Sequence, residues 1–180
     1  MTKQRQQVLE RVLRGNPPLL EVPQELRSDR EVVFAAVSRY GSALRDAAVE
    51  LRCDRAVVLA AVSNYGGSLQ WATKELKSDR EIVLAAVSSC NVAFQWAAEE
   101  LKSDRSVVLA AVTINGHSLE WAASEFKSDR EIVLASVSSQ GSALELAAEE
   151  MRRDRDVVLA AVSQCGYVLE WVNDEMRNDR

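Results

Sequence analysis

The sequence is poor in the side chains on which most enzyme chemistry depends. It has one histidine, His117, and three cysteines, Cys53, Cys90 and Cys165, odd in number and far apart. Neither a disulfide framework nor a zinc knuckle is expected, because both need several ligands at short, regular spacings. The cysteine usage fits an intracellular, reducing compartment, the cytoplasm first and an organelle second. Four basic residues against one acid in the first fifteen hint at organelle targeting. No stretch approaches eighteen apolar residues, so no membrane span is expected. No basic-then-apolar leader is present, so no secretory signal is expected. Basic charge is not in excess: 22 Lys and Arg face 27 Asp and Glu, net -5. That weighs against a general nucleic-acid binder. Phosphate loops, dinucleotide fingerprints and nucleophile elbows are all missing. What remains is 47% hydrophobic and 27% charged, a globular and not a disordered composition.

What the sequence has is repetition. Asp-Arg recurs at Asp29-Arg30, Asp54-Arg55, Asp79-Arg80, Asp104-Arg105, Asp129-Arg130, Asp154-Arg155 and Asp179-Arg180, always 25 residues apart. With Asp as position one, positions four to nine are apolar, as in Val57–Val62. Position thirteen is Gly except at Asn91, and position eighteen is Trp at 71, 96, 121 and 171. Position twenty-two is Glu in all six units from Asp29 onward. Self-similarity at this period predicts an all-α fold: an α-solenoid of stacked helical hairpins, two short helices per repeat.

The first helix is expected to open at the Asp. Ser28, Ser78 and Ser128, each followed by Glu three residues later, suggest a capping box, with Asp capping where that Ser is missing. Its unbroken apolar run predicts burial on both sides. Gly at position thirteen is expected to end it in the left-handed conformation, which Asn91 tolerates next best. A second helix is expected over positions fourteen to twenty-three. Ser118, Leu119, Ala122, Ala123 and Phe126 share one face of it. Small residues at positions seven, eight, nineteen and twenty allow close helix approach.

Residues 1–28 read as a degenerate N-terminal capping repeat. Arg5 aligns with Arg30, Val8 with Val33 and Val12 with Val37, while Glu10 and Arg11 replace the small residues. Six full repeats occupy 29–178, and 179–180 start a further unit or end the chain. The last repeat keeps its apolar pattern, so its outer face is expected to dock a partner or further repeats.

The phrase running from Leu76 to Glu100, L-K-S-D-R-E-I-V-L-A-A-V-S-S-C-N-V-A-F-Q-W-A-A-E-E, and its sister units resemble the short tandem helical repeats of domain of unknown function 4116. The likeness covers residues 25–180 strongly and the first 24 weakly. It implies an all-helical repeat array and carries no established catalytic residues.

Two rows of residues invite a functional reading. The Asp-Arg row could bind phosphates. The economical account is a cap plus an ion pair between each Arg and the Glu of position twenty-two, which leaves no net positive field. Substituting Arg80 is therefore expected to cost stability more than binding. The tryptophans are expected in the core. His117 stands alone, without a recurring acid or cysteine beside it, so no metal or catalytic role is expected. The turn at positions eleven, twelve and fourteen is nearly uncharged and the most variable part of the unit. Arg39, Tyr40, Asn64, Tyr65, Ile114, Asn115, His117, Gln140, Gln164 and Tyr167 form a candidate partner-binding ridge.

The expected function is a non-enzymatic scaffold or adaptor that binds protein along this ridge, with no cofactor. One alternative is an accessory structural subunit embedded in a larger complex, an organellar one included. Another is a repeat-type RNA binder, disfavoured by the acidic balance.

Overall fold

The computed structural model describes residues 3–15 and 18–171. Every element among them is helical. Two compact units divide the chain, Met1–Ala98 and Glu99–Arg180. Each unit is a short all-α solenoid. Its long helices lie side by side in chain order: Lys3–Leu13, Arg30–Arg39, Arg55–Asn64 and Arg80–Ser89 in the first, Arg105–Ile114, Arg130–Ser139 and Arg155–Gln164 in the second. The expected docking face at the end of the last repeat, the Asp179–Arg180 start of a further unit, and the side chain of Trp171 lie outside the described residues.

From Arg30–Arg39 onward each long helix begins where the sequence placed it, and a single device caps all of them. The Asp carboxylate accepts the backbone N–H groups two and three residues on, Asp54 from Ala56 and Val57, and Asp129 from Glu131 and Ile132. The capping box is not used. Ser28 and Ser78 turn back to the carbonyls of Glu25 and Lys74, and Ser128 donates to Glu150 of the next repeat. The Asp sits one residue nearer the helix and reaches two orphan donors at once, so the serine is not needed.

Burial along the long helix follows one face and not the whole cylinder. Val57, Val58, Ala61 and Val62 are buried, while Leu59 and Ala60 are only half-buried. The apolar run from four to nine therefore corrects to a core stripe at positions four, five, eight and nine. Each buried valine contributes roughly 1.5–3 kcal/mol of transfer free energy.

Only the first, degenerate helix is followed by a left-handed residue, Gly15; from Arg30–Arg39 onward the long helix does not end on one. Gly15 alone among the described residues has a positive φ, 86°, and no non-glycine does, so the expectation for Asn91 fails as well. The chain leaves the helix through an extended residue at position twelve, such as Tyr65 (φ -147°, ψ 102°). Glycine follows because there is no room for a side chain. A Cβ on Gly66 would lie 2.0 Å from the carbonyl oxygen of Ala86, one repeat on, and one on Gly41 would lie 2.3 Å from that of Ala61. In the second unit Gly116 and Gly141 stand the same way against Ser136 and Ala161.

The second helix is broken in two. Positions thirteen to eighteen form a 3₁₀ segment, as in Gly66–Trp71 and Gly141–Leu146, and a single turn such as Lys74–Lys77 or Glu149–Arg152 follows. The break falls at extended residues like Ala72 (ψ 157°). There the N–H of position twenty leaves the helical pattern and donates to the carbonyl of position twenty-four in the preceding repeat. Ala48 donates to Arg27, Thr73 to Arg52, Ala98 to Lys77, Ala123 to Lys102 and Ala148 to Lys127, at 2.8 to 3.2 Å. A regular backbone bond between repeats replaces an intrahelical one. The expected apolar face survives the break, since Ser118, Leu119, Ala122 and Phe126 are buried.

Candidate functional site

The arginine row is paired along its length, though not with the partner expected. Four arginines of the row reach the capping Asp of the next repeat. Arg30 Nε lies 2.6 Å from Asp54 Oδ2, Arg55 2.8 Å from Asp79, Arg105 2.9 Å from Asp129 and Arg130 2.8 Å from Asp154. The acid at position three adds a second contact: Arg55 to Glu81, Arg105 to Glu131 and Arg130 to Asp156. The position-twenty-two glutamates are exposed instead. The one-residue offset between Asp and Arg sets this pattern: the cap Asp of one repeat stacks beside the Arg of the last. Arg5 makes the same pair with Asp29 and Glu31, which gives the first helix its place in the row. Arg30 holds the Asp54 carboxyl below the ordinary aspartate range, and Arg105 does so for Asp129, in each case against partial burial and with help from the capped N–H groups. A row compensated in this way presents no open anion site.

The turn ridge sorts into two kinds of residue. Tyr40, Tyr65, Ile114 and Tyr167 project outward, 51%, 44%, 44% and 58% exposed. Arg39 is exposed and lies over the ring of Tyr40, 5.7 Å from its centroid, a cation–π distance. Gln164 is exposed too. Of the remaining candidates, Asn64, His117 and Gln140 bind repeats together, and Asn115 fastens its own turn. Asn64 accepts the N–H of Gly41 at 2.7 Å and donates to the carbonyls of Ser38 and Arg39. Asn115 is buried and accepts the N–H of His117. His117 is half-buried. Its Nδ1 donates to Gln140 Oε1 at 2.7 Å, and its Nε2 faces the Ser142 hydroxyl at 3.2 Å. Gln140 Oε1 also accepts the His117 N–H. Variation at these positions thus reflects alternative ways of joining neighbours as well as freedom at the surface.

The tryptophans are not core residues. Trp71 and Trp121 are half-buried and Trp96 is 36% exposed. Position eighteen closes the 3₁₀ segment on its outer side. The core beneath is filled by position sixteen: Leu44, Leu69, Phe94, Leu119 and Leu144.

Sequence reading passed over position twenty-four, which is Arg or Lys in every repeat. Two of these cations bind carbonyls at the end of the 3₁₀ segment. Lys77 Nζ lies 2.8 Å from the Gln70 carbonyl, and Arg27 reaches those of Leu20 and Val22. Burial pushes the Lys77 ammonium down from its ordinary value. A cation seven residues after position seventeen was the visible signal, and a helix C-terminus attracts one.

The described residues contain no cluster of three or more His, Cys, Asp or Glu able to hold a metal ion, and their three cysteines are free. No helix among them is long and apolar enough to cross a membrane. The class this defines is a tandem-repeat helical protein. The family description "Domain of unknown function (DUF4116)" matches residues 5–52, 54–102, 79–127, 104–152 and 154–180, and the chain belongs to that family. Comparison with curated proteins and with solved structures finds no match.

Proposed function

We propose that the protein is a non-enzymatic scaffold or adaptor that binds a protein partner through the outward residues of its turns. The observation that carries this reading is the set of large, exposed, uncharged side chains at turn positions whose backbone is pinned from below. Tyr40 and Tyr65 occupy the same position in adjacent repeats of the first unit. Ile114 and Gln164 at position eleven and Tyr167 at position fourteen are the exposed turn residues of the second. Rigidly held tyrosines bring large contact area at low conformational cost, which is how interface hot spots work. The ion-paired arginine row argues against RNA binding as the main role, since phosphate recognition needs uncompensated positive charge.

The test is affinity capture from native extract with the full chain and with a Tyr40→Ala/Tyr65→Ala variant. A stoichiometric partner retained by the first and lost by the second, with thermal melts alike, is the expected result. Capture that the variant leaves unchanged ends this assignment of the ridge.

A further inference from the structure

The two units differ in charge. Residues 1–98 carry thirteen bases against eleven acids, and residues 99–180 carry nine against sixteen. Within the second unit two of these acids, Glu120 and Glu145, stand one per repeat on the face of the 3₁₀ segments. The 3₁₀ segments Gly116–Trp121 and Gly141–Leu146 are neighbours. Positions seventeen and eighteen point outward in both. Glu120 and Glu145 are exposed, and Trp121 and Leu146 are half-buried beside them. Tyr167 follows on the next segment, 58% exposed. Its hydroxyl pKa is raised first by its bond to the Cys165 thiol and also by the nearby Glu145 charge. Among the described residues no cation pairs with Glu120 or Glu145. The first unit supplies a contrast: beside Trp71 and Trp96 it carries the neutral Gln70 and Gln95.

We infer that this face of the second unit, Glu120–Trp121 with Glu145–Leu146 and Tyr167, docks a lysine- or arginine-rich extended segment of a partner protein. Charge complementarity selects the occupant. A cationic side chain meets a carboxylate with no competing internal partner, and its stem or guanidinium lies on an indole or phenol ring. An anionic membrane or nucleic acid would be repelled here. Geometry sets a spacing. Neighbouring packed segments lie about 8–10 Å apart, and an extended chain advances about 3.3 Å per residue. One basic residue in every three therefore keeps pace with one carboxylate per repeat. Of the turn ridge only Tyr167 is shared, and the Tyr40/Tyr65 and Glu120/Glu145 variants touch different residues, so either proposal can fail alone.

The experiment uses the full chain and fluorescein-labelled twelve-residue peptides with lysine, or in the control glutamate, at every third position. Anisotropy is expected to show saturable binding of the lysine peptide only, weakening as salt is raised. Glu120→Gln/Glu145→Gln should weaken it by roughly tenfold, and Tyr40→Ala/Tyr65→Ala should leave it unchanged. Trp121→Ala should weaken it too, with far-UV circular dichroism as the check on folding. If that variant does not fold, the glutamine pair, exposed and without internal partners, still decides. Equal binding of both peptides, or no effect of the glutamine pair, overturns the inference. A dimer in sedimentation that Trp121→Ala abolishes, with no peptide bound, overturns it in favour of a second copy of this chain.

Discussion

At the scale of single residues, two positions carry most of the repeat's specificity. The first is the cap Asp, which accepts two N–H groups of its own helix and the guanidinium of the repeat before it. Asp54→Ala removes both, and the cap alone is expected to cost about 1 kcal/mol. Asp54→Asn keeps the cap and removes the charge, so the two variants separate the roles in a denaturant melt. The same group predicts a pH dependence. Its carboxyl titrates lower when folded than when unfolded, because Arg30 and the capped N–H groups favour the charged form. The unfolded chain then binds more protons in the acid range. The stabilisation is complete above the unfolded value, about 4, and is lost as pH falls through the lower folded value. Melts should be flat near neutrality and fall in acid, with a smaller fall for Asp54→Asn; profiles of equal slope would refute this.

The second position is the glycine at thirteen. Because the obstruction is backbone of the next repeat, Gly66→Ala is expected to cost at least the roughly 1–3 kcal/mol typical of overpacking. Gly166, with nothing within 4 Å, should tolerate the same change within about 0.5 kcal/mol, as an open surface site does. Equal losses at the two sites would instead indicate a conformational role for the glycine. A left-handed stop and a close approach both look like Gly in a sequence, and φ distinguishes them. That is why the residue was legible and its reason was not.

At the scale of elements, the long helices could be read from their apolar stripe and their Asp caps. The second half of the repeat could not. Alanines at positions nineteen and twenty are the best helix formers, and nothing local interrupts them. The interruption comes from the carbonyl of the preceding repeat, a partner 21 residues away, as in Thr73 to Arg52. Thr73→Pro tests this. Thr73 has φ -68°, already a proline value, and Ala72 before it is extended, as a pre-proline residue prefers. The expected loss is that of one inter-repeat hydrogen bond, about 1 kcal/mol. In a continuous helix the same proline would cost about 3 kcal/mol or more. Urea titration tells the two apart. The tryptophans were misplaced for a related reason: large area argues for burial, but the inward place on a 3₁₀ segment was already taken by position sixteen.

At the scale of the whole molecule, stability follows from neighbours in line. Helices of ten residues are marginal alone. Each becomes stable by burying its stripe against the next and by bonding to it through Arg–Asp pairs and the position-twenty N–H. Deleting residues 54–78, one full period of the first unit, should therefore preserve helicity per residue and lower the melting temperature moderately. Deleting one residue fewer would misregister every contact across the junction. Circular dichroism that shows equal disruption by both deletions would contradict a register built on repeats.

The amino-acid sequence alone determined the period, the helical class, the start of the long helices and the apolar run that supplies their core; which face of that run is buried was decided by the neighbouring repeats. The former rest on local chemistry: side-chain volume, apolar spacing, and an Asp beside the helix it caps. The tertiary structure decided the partner of each arginine, the 3₁₀ form of the second segment, the need for glycine, and which turn residues face outward. Those depend on groups brought together only when one repeat lies against the next, about 25 residues along the chain and about one helix diameter, roughly 10 Å, in space.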